Sequence, residues 1–200
     1  MTVPDALADA VARATGAAVT GGARASGGSI NEAWALQLAG GGRAFVKTRA
    51  DAAPGEYATE AAGLRWLGQA DAVALPGVLA VGDEEGPRFL ALEWLDEGRL
   101  DVAGEEALGR ALAALHAAGA PAFGAPPPGA PAPDGGLAPL RIGELALPND
   151  PAADWPSFYA QRRLEPLVAL WQLFPLLVHA ALFGGSYGAS VERAAVRYVT

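Results

Sequence analysis

Lys47 is the only lysine in a chain of 200 residues that carries 13 arginines. Where arginine serves every other basic position, the one lysine marks a place that asks for a compact ammonium rather than charge alone. It closes the apolar run Ala44-Phe45-Val46, and Glu60 follows thirteen residues later in a helical stretch. Ahead of both, Gly27-Gly28-Ser29 makes a flexible turn between strands. In that order the three features fit phosphate chemistry. The backbone N–H groups of a glycine turn cover the phosphates of ATP, a lysine on the third strand holds them, and a glutamate on the next helix holds the lysine. Singly, a lysine at a strand end and a glutamate on a solvated helix face need no function. The ordered set, followed by two strands and Glu93-Trp94-Leu95, carries the nucleotide reading.

The elements that must position these residues are legible in outline. Thr2 and Asp5 read as a capping box, and Val3, Leu7 and Val11 recur at helical spacing, predicting a helix that ends near Gly16. Trp34, Leu36 and Leu38 share one face of a strand at period two, and Gly40-Gly41-Gly42 turns the chain into a third strand, Arg43 to Lys47. Tyr57, Ala61, Leu64 and Leu67 form a helical stripe. Val78 to Val81 and Phe89 to Trp94 read as two more strands, giving β-β-β-α-β-β. Leu108, Leu112 and Leu115 mark a helix running to Ala118. Residues 120–139 hold seven prolines and read as a mobile loop or linker. Asp154 caps a helix with Trp155, Phe158, Tyr159 and Leu164 on its apolar face, Gly184-Gly185 breaks the chain again, and Val191 to Val199 forms a last helix.

Composition narrows the classes. With 22 acidic against 14 basic side chains, the net charge is −8, which offers nucleic acid no electrostatic footprint. No cysteine is present, so disulfides, thiolate catalysis and cysteine-held zinc are excluded, and two histidines, His116 and His179, do not make a histidine-rich metal site. The N-terminus carries Asp5 and Asp9 instead of an apolar run, and a cytoplasmic location is the expectation. Pro166 to Val191 contains no charged side chain. Its apolar core, Leu167 to Phe183, sits at the lower limit for crossing a bilayer and contains Gln172, Pro175 and His179. A buried helix pair or an oligomer surface is expected rather than a membrane span.

Several segments together resemble the fructosamine/ketosamine-3-kinase family. They are Gly27-Gly28-Ser29-Ile30-Asn31, Ala44 to Lys47, Glu60 to Leu64, FLALEWLD at 89–96, LGRALAALH at 108–116 and DWPSFYAQRRLEPLV at 154–168. The last thirty residues resemble that family's C-terminal segment. The resemblance implies an α+β, protein-kinase-like fold. A nucleotide-binding N-lobe of five antiparallel strands and one helix would span 1–96, and a truncated helical C-lobe 97–200. It implies ATP-dependent phosphorylation of the 3-hydroxyl of ketosamines, the glycation adducts of amines and protein lysines. Lys47 and Glu60 would anchor phosphate under the Gly27-Gly28-Ser29 turn, and the backbone of Glu93, Trp94 and Leu95 would hold adenine, with Trp94 and Phe89 as packing.

Two departures qualify this. After Phe123-Gly124 the chain enters the proline-rich run instead of an aromatic and charged segment. More seriously, the family carries a His-Gly-Asp catalytic loop, a downstream Asn and a metal-binding Asp-Pro pair where Leu170 here runs straight into Trp171. No residue is therefore assigned as catalytic or as a Mg²⁺ ligand, although the family implies Mg²⁺. The expected protein is a homologue with residual ATP binding and little or no turnover. Two alternatives stand beside it. One is a reduced kinase drawing on Asp134, Asp150 or Asp154. The other is a non-enzymatic interaction module that self-associates through its apolar C-terminal helices.

Overall fold

The computed structural model describes residues 2–26, 30–83, 86–132, 136–142 and 145–196. Contacts divide the chain into two compact units, Met1–Ala120 with Pro126–Ala138, and Pro121–Ala125 with Pro139–Thr200.

The first unit is built on a five-stranded antiparallel sheet of β1 (Val19–Arg24), β2 (Glu32–Leu38), β3 (Arg43–Thr48), β4 (Val78–Gly82) and β5 (Phe89–Glu93), in spatial order β1-β2-β3-β5-β4. Each face has its own helix. α1 (Asp5–Thr15) buries Leu7, Ala10 and Val11 against Trp34, Leu36, Val46, Phe89 and Ala91. α2 (Glu56–Gly68) buries Tyr57 and Ala61 against Leu90 and Leu92 on the opposite face, with Phe45 and Leu64 at the margin. The period-two reading of Trp34, Leu36 and Leu38 is what puts them under α1.

Some boundaries differ from expectation for local reasons. The expected Thr2 cap is not made; α1 starts after Pro4, with no side-chain cap. Leu67 falls off the buried stripe of α2 and is 42% exposed. α3 (Val102–Ala118) begins a turn and a half before its leucine pattern. The reason is that Asp101 accepts a hydrogen bond from the Gly104 N–H at 2.8 Å and sets the start. The proline-rich run is not a free linker throughout. Residues 126–138 belong to the first unit, and Ala138 is buried.

Gly82, at the end of β4, faces the Phe89 ring so closely that an added Cβ would overlap it. Gly82→Ala should therefore cost about 1–3 kcal/mol through overpacking, read as a lowered urea midpoint at unchanged slope. An unchanged midpoint would show that the ring has room to move.

The second unit begins with a hairpin absent from the sequence reading, β6 (Leu140–Ile142) paired with β7 (Leu145–Leu147). α4 (Trp155–Tyr159) is capped by Asp154, which accepts from the Ser157 N–H at 2.8 Å. A π-helical turn (Ala160–Leu164) follows, then α5 (Glu165–Phe183) and α6 (Ser186–Ala195), separated by Gly184-Gly185. The last helix thus starts five residues before the expected Val191. α5 runs unbroken through Leu170 and Trp171. The π turn directs Arg163 onto the Pro148 carbonyl (2.7 Å), the Asn149 side chain (2.6 Å) and the Phe158 ring. Arg162 lies 3.7 Å from Asp150. By length and composition the continuous helical stretch Trp155–Phe183 could cross a membrane.

Candidate functional site

Strand alternation decides which face of β3 carries chemistry. Ala44 and Val46 point to the α1 side, so Phe45 and Lys47 point to the α2 side. There the Lys47 Nζ meets the Glu60 carboxylate at 2.5 Å and lies 5.8 Å from the Tyr57 ring centroid. The two residues that sequence order singled out are brought together. As a stabilising contact the pair is worth at most about 1 kcal/mol, because the Glu60 side chain is more than a third exposed. Its value lies in holding an ammonium at a fixed point on the α2-side face of the sheet.

The sheet around the pair carries small side chains. On the same face, Ala33 stands opposite Lys47, and Ala35 opposite Phe45, with Ala23 of β1 opposite Ala35. Tyr57 is fully buried, and its hydroxyl donates to the Asn31 Oδ1 at 3.0 Å, tying α2 to the start of β2. Burial pushes the Tyr57 pKa upward, keeping it a donor. Gly27, Gly28 and Ser29 lie outside the described residues.

At the other end of the strand pair, Glu93 is opposite Ala44, three residues along β3 from Lys47. Three residues of strand span about 10 Å. The Glu93 N–H donates to the Gly77 carbonyl at 2.8 Å, so it is already occupied. Leu95 is exposed, and among the described residues neither of its backbone groups has a hydrogen-bond partner. Trp94 is clamped between them: Arg43 stacks on its ring at 4.5 Å, and its Nε1–H donates to Asp96 at 2.9 Å, where Arg43 also donates at 2.8 Å. Phe89, expected beside Trp94, is instead buried in the α1-side core on the face away from Lys47.

The Trp94 hydrogen bond, with that of Arg43, holds the Asp96 carboxyl below the ordinary range. A depressed native pKa means that the clamp is fully present above the unfolded Asp pKa and is lost as pH falls through the native one. The Trp94 indole N–H resonance should therefore move on acidification with a midpoint below that of an ordinary aspartate. A midpoint at or above the ordinary value would contradict the clamp.

A second ion pair escaped the sequence reading. Arg49, two residues beyond Lys47, meets Glu56, one helical turn before Glu60, at 3.0 Å, with side chains only 13% and 14% exposed. Arg49 also bonds Asp51 at 2.6 Å. Removing one partner leaves Arg49 with Asp51, or Glu56 with the Ala53 N–H, and costs about 1–3 kcal/mol, more than loss of the Lys47 pair. Its signal was Lys-x-Arg at the end of a strand and Glu-x-x-x-Glu on a helix, two spacings that match only once strand and helix run antiparallel.

Mg²⁺ needs several oxygen ligands converging on one point. Among the described residues no three His, Asp or Glu side chains do so. The carboxylates nearest Lys47, Glu60 and Glu56, each already neutralise a basic side chain. Beside a nucleotide Mg²⁺ takes one or two carboxylates, with phosphates and waters completing its shell, and no described residue is assigned as its ligand.

The fructosamine kinase family model matches residues 4–171. The chain belongs to the fructosamine kinase family. A "Probable ketoamine kinase" of Synechocystis sp. is 31% identical over 145 residues, covering 72% of this chain and 45% of its own length. A "Probable ketoamine kinase" of Thermus thermophilus is 34% identical over 148 residues, covering 72% and 46%. This fructosamine kinase homologue thus spans about half the length of the curated relatives it matches. A crystal structure from Thermobifida fusca named "putative fructosamine-3-kinase" superposes with a TM-score of 0.66 at 30% identity, covering 90% of this chain and 63% of that one. A second, from Haemophilus somnus, has a TM-score of 0.64 at 21% identity and supports the fold alone. The fold is protein-kinase-like, as the resemblance implied.

Proposed function

We propose that this fructosamine kinase homologue binds ATP through its first unit and transfers phosphate to a ketosamine slowly or not at all. The observation that carries the proposal is the Lys47–Glu60 pair on a sheet face with small alanine side chains around it. A triphosphate laid along β3 would meet Leu95 backbone groups at its base and Lys47 at its phosphates. The Gly27-Gly28-Ser29 turn would close over it, and Glu93 and Trp94 would shape the adenine end. In this proposal the lobe division falls after Asp96, and the protein works in the cytoplasm on small ketosamines or glycated proteins.

The acids that a reduced kinase would have to enlist have other employment. Asp150 faces Arg162, and Asp154 caps α4, where the hydrogen bonds from Ser157 hold its carboxyl below the usual range. Asp134 lies outside the described residues. Titrating ATP into the protein and into Lys47→Met tests the binding reading; coincident curves would remove Lys47 from the site.

A second reading rests on α5, where Trp171 is 79%, Phe174 74% and Leu182 69% exposed. Uncharged from Pro166 to Val191, this surface suits a second copy of the chain, and self-association at micromolar concentration is expected in sedimentation. A compact monomer across the dilution series would count against it.

A further inference from the structure

We infer that Arg49, Glu56 and Asp83 are positioning residues that latch α2 to the sheet and so hold Glu60 against Lys47. The inference rests on the nucleotide reading of that pair and concerns what assembles it. In a kinase-type site the strand lysine and helix glutamate must meet before phosphate is held, and movement of the helix separates them. Here two rungs join β3 to α2. Lys47 lies in β3 and Arg49 just beyond its last residue, Thr48, while Glu60 and Glu56 are four apart on one helix, so each base meets one acid on the same side of α2. The outer rung is the dry one.

The connection between strand and helix, residues 49–55, is tied at almost every step. Arg49 holds Asp51, and the Glu56 carboxylate also accepts from the Ala53 N–H at 3.1 Å. Arg88 donates to the Ala52 carbonyl at 3.0 Å, and Asp83 accepts from the Gly55 N–H at 2.8 Å. The last two anchors come from the β4–β5 connection, so the start of α2 is fixed to the sheet at a second point. From behind, the proline-rich segment leans on the same helix. A Cβ added at Gly55 would lie 3.1 Å from Pro131, and one at Gly63 would lie 3.7 Å from Pro127. Gly55 also has φ 78°, so close approach and backbone conformation both demand glycine there. Every one of these contacts lies within the first unit. The helix is therefore held in its lysine-pairing position by that unit's own residues.

The test compares Arg49→Ala and Asp83→Asn with wild type, reading ATP affinity by calorimetry and amide hydrogen exchange along α2. The second variant deletes one charge outside the dry pair and keeps the inference testable if the first folds poorly. Both should weaken ATP about tenfold, as expected if the competent helix position falls to about a tenth of the population, and both should speed exchange in α2. Arg49→Lys should recover much of the affinity. In a Lys47→Met background, Arg49→Ala should cause little further loss, because the latch acts through that pair. A general structural role would instead give additive losses, and additivity would overturn the inference. So would wild-type affinity and exchange in both variants. If wild type binds no ATP, the nucleotide reading fails by itself. Exchange in α2 still decides the latch, with acceleration supporting it and wild-type rates overturning it.

Discussion

Lys47→Met should weaken ATP binding about ten- to hundredfold in calorimetric titration while leaving the urea midpoint nearly unchanged. The asymmetry follows from where the pair sits. Glu60 is 39% exposed, so the loss of its partner is largely made good by water, and stability changes by no more than about 1 kcal/mol. A hydrogen bond from the ammonium to a phosphate has no such substitute at the site, and charged hydrogen bonds are worth about 1.5–3 kcal/mol. Methionine keeps the stem and removes only the charge. Equal losses of affinity and stability would mean that Lys47 is a structural residue.

The larger expected effect is catalytic. With ATP, Mg²⁺ and a glycated lysine derivative, steady-state ADP release should not exceed the protein-free background. Phosphoryl transfer calls for oxygen ligands around a metal and a carboxylate at the acceptor hydroxyl. Past Asp154 the chain offers only Glu165 and Glu192 as acids. Arg162, three residues before Glu165, faces Asp150 instead. Glu165 lies inside the continuous helical stretch Trp155–Phe183 and is exposed. A missing base costs about 10²–10⁴ in rate and unassisted phosphate charge several kcal/mol more, so turnover should fall on the order of 10⁵-fold below that of a working kinase. Substrate-dependent ADP release lost in Lys47→Met would instead establish a reduced kinase.

What was legible in the chain follows the strength of its patterns. Trp34, Leu36 and Leu38 alternate because they share the face of β2 under α1, while the other face carries only the small side chains Ala33 and Ala35 between polar ends. The Lys47–Glu60 pair was readable because a lone lysine and a glutamate on the next element form an ordered set. β5 gave no such cue. Phe89, Leu90, Ala91 and Leu92 are all buried, since helices cover both faces there, so nothing in the run says which side Phe89 takes. The Arg49–Glu56 rung depends on the antiparallel run of β3 and α2, which no local spacing encodes. The β6–β7 hairpin escaped because three-residue strands beside a proline-rich run carry too little periodicity to register.

Binding without transfer should be visible in a single turnover. Protein in excess over γ-labelled ATP is mixed with Mg²⁺ and a glycated lysine derivative, quenched over minutes, and its label is located. The nucleotide should be bound, in a Lys47-dependent manner, and recovered as intact ATP. Label appearing on the ketosamine 3-hydroxyl within that time, and absent with Lys47→Met, would contradict it.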